Sequence, residues 1–214
     1  MATTSTLTRP HGRSRRPKLV HQFLIVLSRT SPLVWRRLQV PQAYSFWDLH
    51  VAIQDAMGWL DCRLHEFRLL DPDEQRIVSI GTPTDEPADR PVAAGWDVPV
   101  SNVFERSAWH VPLALYTYDF SADWQHVVAH EGLEPADPAF GYPRCVGGDR
   151  RCPPEGCGGV LGFEELLRTI SDPAHPKHAS MREWVGEDYD PAAFEPDAVV
   201  FDDPRTRLKK VLRR

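Results

Sequence analysis

The chain has 214 residues, of which 42% are apolar, and a formal net charge of −5. That is enough apolar side chain to fill one large core. The longest unbroken apolar stretch, Phe23 to Leu27, falls far short of the roughly 20 residues that cross a bilayer, and no apolar run follows the first Met. Membrane spanning and signal-peptide secretion are therefore excluded as expectations, and a cytoplasmic protein is expected.

The charge is unevenly spread. Residues 1–18 and 205–214 carry 11 of the 25 basic residues and no acid, leaving 14 bases against 30 acids, a net −16, over residues 19–204. An acidic body repels phosphate backbones, so any nucleic-acid contact has to rest on the basic ends. The plain reading of both ends is a solvated, disordered tail. The N-terminal one, rich in Ser, Thr and Arg, also has the composition of a targeting segment. A single domain over 19–204, flanked by tails 1–18 and 205–214, is the expected organisation.

In chain order, Leu19 to Leu27 is almost wholly apolar or β-branched. Thr30, Ser31 and Pro32 mark a turn, and Val34, Leu38 and Val40 share a face, which predicts a β-hairpin. Ser45 and Asp48 have capping-box spacing. Phe46, Leu49, Ile53, Ala56 and Met57 then recur at helical intervals before Gly58, which predicts a helix over 46–57. A strand over Leu64 to Leu70 completes a ββαβ unit. Residues 71–99, dense in Asp, Pro, Glu and Gly, read as an exposed excursion with one short strand at Ile77–Ile80. Two more strands, Leu113–Phe120 and Trp124–Glu131, flank a turn at Ser121, Ala122 and Asp123, with Trp124, His126, Val128 and His130 on one face. After a Cys/Gly/Pro-rich loop, Phe163, Leu166, Leu167 and Ile170 predict a helix, and Met181, Trp184 and Val185 a second one ended by Gly186. Strands first and helices last predict an α+β fold, a ββαβ unit extended by antiparallel strands.

The segments PLVWRRLQVP, DLHVAIQDAMGWLDCRLHEFRL, YDFSADWQH, CVGGDRRCPPEGCGGVLGFEELL and WVGEDYDPAAF together resemble, over roughly residues 19–203, the family of proteins similar to the third open reading frame of the root-inducing plasmid. The resemblance implies an α+β fold and an Orf3-like, TnpR-like passenger protein of mobile elements, a label that carries no established reaction. Where the family tends to show YDFGDDWEH and PPEDCGG, this chain has Ser121, Ala122, Gln125 and Gly156. A mechanism resting on clustered carboxylates there finds fewer of them.

Cys145, Cys152 and Cys157 lie within 13 residues of a glycine-rich loop. Three thiolates with one imidazole make a tetrahedral zinc site, and His126 is the expected fourth ligand, with His130 and His65 as substitutes. The spacing is not that of paired CxxC ribbons. The competing reading is inert thiols packed in a shaped loop, with a loop disulfide the least favoured in the cytosol. Cys62 reads as a structural thiol and His65 as a core histidine. Asp119, Asp123 and Glu155 with His126 form an alternative polar site for a harder metal or acid–base work, against which Asp119 and Asp123 read as turn formers. The seven Trp residues read as packing residues, since base stacking needs a basic groove beside it. No Walker, dinucleotide, G-x-S-x-G or HExxH signature occurs, and no catalytic residue is assigned. Two functions are expected from this: a non-enzymatic binding or accessory module, with a protein or nucleic-acid partner, or a metal-dependent hydrolase or nuclease-like enzyme.

Overall fold

The computed structural model describes residues 18–71, 76–84, 90–105 and 113–213. The expected N-terminal tail up to residue 17 lies outside them. The fold is α+β, built on one eight-stranded sheet. Strands β1 (Leu19–Leu27) and β2 (Val34–Pro41) form the expected hairpin and helix α1 (Phe46–Met57) follows. Next come β3 (His65–Asp71), β4 (Arg76–Gly81), β5 (Val92–Ala94) and the four-residue α2 (Ser101–Phe104). After β6 (Leu113–Tyr118), β7 (Trp124–Pro135) and β8 (Arg144–Asp149), the chain closes with α3 (Gly159–Ser171), α4 (His178–Val185) and α5 (Pro204–Val211). The sheet order is β5-β4-β3-β6-β7-β1-β2-β8. All pairs are antiparallel except β4 with β5.

One face of this sheet is the core. Alternation puts Phe23, Ile25 and Leu27, then Val34, Arg36, Leu38 and Val40, then Trp124, His126, Val128 and His130 on the buried side. Helix α1 lies on that face. Its start is the predicted capping box: the Ser45 hydroxyl accepts from the Asp48 N–H at 3.2 Å and the Asp48 carboxylate accepts from the Ser45 N–H at 2.9 Å. Its end is Gly58, whose φ of 77° is a left-handed cap that a side chain would strain. Ten of its 12 residues are buried, because the loop carrying α2 and the closing helix α5 cover the flanks that the sheet does not.

Three sequence expectations change. Residues 71–99 are not merely an excursion, since β4 and β5 form one edge of the sheet. Part of the Cys-rich segment is a strand: β8 pairs with β2 as the opposite edge, with a bulge between Arg37 and Leu38 that absorbs one residue. The basic C-terminal stretch is not a solvated tail. It forms α5, capped by Asp203 and held to α1 by Arg207, which ion-pairs with Asp55 and reaches Asp202 at 3.0 Å and Asp61 at 3.7 Å.

Candidate functional site

The region richest in chemical groups lies between α1 and strands β3, β6 and β7. His50 and Gln54, one helical turn apart, are polar residues on a buried helix face, fully sealed from solvent. Both turn to the Tyr116 hydroxyl of β6: the Gln54 side-chain amide donates to it at 2.8 Å, and it lies 2.9 Å from His50 Nδ1. His50 Nε2 lies 2.8 Å from Asp61 Oδ1, just past the helix cap, where Asp61 has φ 54°. Because a carboxylate can only accept, the proton sits on Nε2, so Nδ1 accepts from Tyr116. The chain of donors runs Gln54 to Tyr116 to His50 to Asp61. His65, opening β3, stacks flat on His50 with ring centres 3.4 Å apart and planes 7° apart.

Above this chain sits an aromatic layer. Trp59 stacks on Tyr118 at 5.0 Å, meets the edge of His126 at 5.4 Å and donates its indole N–H to the Pro153 carbonyl at 2.9 Å. The Tyr118 hydroxyl donates to Glu155 at 2.6 Å and accepts from the Cys62 N–H at 3.1 Å. Those two bonds to Pro153 and Glu155 clamp the Cys loop onto the core. The sheet end, the residues after α1 and the Cys loop thus meet at one place. They are the segments DLHVAIQDAMGWLDCRLHEF, YDFSADWQH and PPEGCGG.

Burial holds the tyrosines and two of the histidines of this region in their neutral forms. Burial pushes the Tyr116 hydroxyl well above its ordinary pKa, and burial then the bond to Glu155 push Tyr118 up as well, so neither is a ready phenolate. Burial lowers His126 to about 4, although its bonds to the backbone work the other way, and burial with the neighbouring His50 lowers His65 strongly. An Asp–His–Tyr chain can in principle move a proton, but here its hydroxyl end is 0% exposed, sealed from anything that could receive it.

The expected zinc set does not assemble. Among the described residues no three His, Cys, Asp or Glu side chains gather as a metal-binding group. Cys145 stands on edge strand β8 and its thiol donates to the Gly147 carbonyl at 3.2 Å, while the Cys157 thiol donates to the Gly159 carbonyl at 3.9 Å. Burial raises all three thiols, Cys157 to about 11, and His126 is sealed beneath Trp59. All four cysteines are free. The substitutes separate too: His65 belongs to the His50 stack, and His130 lies 3.0 Å from His21.

The alternative polar set also divides. Asp119 accepts from the Ser121 N–H and hydroxyl at 3.2 and 2.5 Å, and Asp123 pairs with Arg29 at 2.8 Å. Both have positive φ, as turn residues do. Glu155 points instead at Tyr118. Cys62, expected to be a structural thiol, is exposed at the rim of the aromatic layer. Sequence reasoning missed His50, Gln54, Asp61, Tyr116 and Tyr118. The available signal was His50 and Gln54 four residues apart within an otherwise apolar helix face.

The chain belongs to the plasmid pRiA4b ORF-3-like family, whose model matches residues 19–198. It is 36% identical over 175 residues to the uncharacterized protein y4hQ of Sinorhizobium fredii (strain NBRC 101917 / NGR234), covering 81% of this chain and 85% of that one. The crystal structure of the protein of unknown function MM3350 from Methanosarcina mazei Go1 superposes with a TM-score of 0.78 at 36% identity, covering 87% of this chain and 100% of that one. No helix among the described residues is long and apolar enough to cross a membrane.

Proposed function

We propose that the protein is a non-enzymatic binding or accessory module of mobile-element type, in which the Cys loop is a structural clasp and a nucleic acid is engaged through the basic C-terminal helix. The observation that supports this reading is the division of charge on α5. Arg207 faces inward to Asp55, Asp61 and Asp202 and fixes the helix to the body. Arg205 and Lys209, spaced by four residues, are exposed on another face with Lys210 beside them, and Arg213 is exposed just past the helix end. At 1.5 Å of rise per residue Arg205 and Lys209 stand about 6 Å apart along the helix, and with Lys210 and the following Arg213 they make a basic patch that can contact a phosphate backbone. An ordered patch has less conformational entropy to lose on binding than a floppy tail of the same charge. The chemical groups elsewhere are engaged in holding the fold, which fits a binding role better than a catalytic one.

The test is binding of a short DNA duplex as a function of salt, for the wild type and for a triple variant with Arg205, Lys209 and Arg213 changed to Gln. Each phosphate that the variant no longer neutralises takes about 0.9 off the slope of log K against log salt, so the variant is expected to bind more weakly with a slope smaller in magnitude by about 2 to 3. Binding that is unchanged in the triple variant would contradict the reading.

A further inference from the structure

We infer that a cleft at the C-terminal end of α1 is a binding site for a small carboxylate with an apolar body, and that Arg36 supplies its charge. Arg36 stands on β2 within the core face and is 1% exposed. Its Nε donates to the Ala56 carbonyl at 2.8 Å, in the last turn of α1, and its Nη1 donates to the carbonyls of Trp35 at 2.7 Å and Asp149 at 3.0 Å. The bond to Ala56 satisfies a carbonyl at the end of α1, which carries no basic residue of its own in its last turn, and the other two tie Arg36 to β2 and β8. These bonds do not neutralise the cation. Among the described residues Arg36 forms no salt bridge, and its Nη2 has no hydrogen-bond partner. A buried guanidinium cannot shed its proton as an imidazole can, so it keeps a full charge that three carbonyl dipoles and the nearby Asp149 carboxylate only partly offset.

The guanidinium lines a cleft of about 390 Å³, within the ordinary size range of small-molecule sites. The walls are mostly apolar, from Met57, Phe194 and Val199, and Arg151 stands at the exposed rim. Phe194 lies over the guanidinium at 3.5 Å, and Gly148 is what lets it, since a Cβ there would strike the Phe194 ring. Two carboxylates also line the cleft: Asp55 is occupied by Arg207 and by the Asp202 N–H at 2.9 Å, and Glu195 is exposed to solvent. With Nε and Nη1 committed, Arg36 offers a single N–H edge rather than a fork. That suits one carboxylate oxygen beside an apolar wall better than a multiply charged, strongly hydrated phosphate.

The experiment is calorimetric titration of the full chain with acetate, hexanoate, benzoate and inorganic phosphate. Hexanoate or benzoate is expected to bind at least about tenfold more tightly than acetate or phosphate, the apolar body supplying the difference. Arg36→Met is expected to weaken binding about tenfold or more, through loss of a charged hydrogen bond. Arg151→Ala, at the solvated rim, should weaken it by no more than about fivefold. Arg36→Met also uncaps α1, so a second variant separates binding from folding. Ala193→Trp, a change at an exposed wall position, fills the cleft without touching the core and is expected to abolish binding. Binding by none of the four probes, phosphate binding as tightly as hexanoate and benzoate, or unchanged binding in Ala193→Trp would each overturn the assignment.

Discussion

Two polar groups of the core, the His50 chain and Arg36, lie at opposite ends of the requirement that buried charge be compensated. The His50 chain is paired link by link: Gln54, Tyr116, His50 and Asp61 each find a partner within 2.9 Å, with Gln54 Oε1 left over. Burial lowers the pKa of His65 and His126, so each ring gives up its proton, and their Nε2 atoms stay without a partner among the described residues. Arg36 has no such exit and is left with a charge facing a cleft. A dense cluster of histidine, tyrosine and carboxylate can thus be the framework of a fold, while one under-compensated guanidinium marks the place where something else binds.

The contrast is most exposed to test at His50. Replacing it with Ala opens a cavity and leaves both Tyr116 and Asp61 without their partner, and the expected loss of stability is about 4 kcal/mol. Equilibrium urea unfolding measures it, and a change below about 1 kcal/mol would show that the His50 chain is not what holds α1 to the sheet.

The pH dependence comes next. The folded pKa of His126 is about 4, against 6.5 for an unperturbed histidine. The unfolded chain therefore takes up a proton below pH 6.5 that the folded one refuses, and the stabilisation present above 6.5 is lost as the pH falls towards 4. For this residue alone it amounts to on the order of 3 kcal/mol. Unfolding curves at pH 7.5 and pH 4.5 for the wild type and His126→Gln should show a smaller pH dependence in the variant. Equal dependence in both would mean that His126 is not sealed as the structure has it.

Much of this fold is legible in the sequence where the signal is local. The capping box at Ser45 and Asp48, the stop at Gly58, and the hairpin of β1 and β2 are all written within a few residues of where they act. The elements that escape are those decided by distant partners. β8 contains Gly147 and Gly148 and reads as loop, and it becomes a strand only because β2 offers an edge and Phe194 needs a position without a Cβ. Helix α5 reads as a charged tail because its apolar content is small, and what orders it is Arg207 meeting Asp55 and Asp61, about 150 residues earlier in the chain. The candidate site was hidden for the same reason. Cys145, Cys152 and Cys157 are close in sequence and attract attention, whereas His50, Asp61 and Tyr116 come together only through the pairing of β3 with β6. Polar residues on a buried helix face are the local trace of such a cluster.

Whether the Cys loop and its carboxylate close the core rather than perform chemistry is decided by the stability of Glu155→Ala, measured beside its affinity for DNA. A closing role predicts a loss of about 1 to 2 kcal/mol in urea unfolding, from the broken bond to Tyr118, with duplex binding and its salt dependence unchanged. Unaltered stability together with abolished binding would contradict that role, and would make Glu155 a functional group.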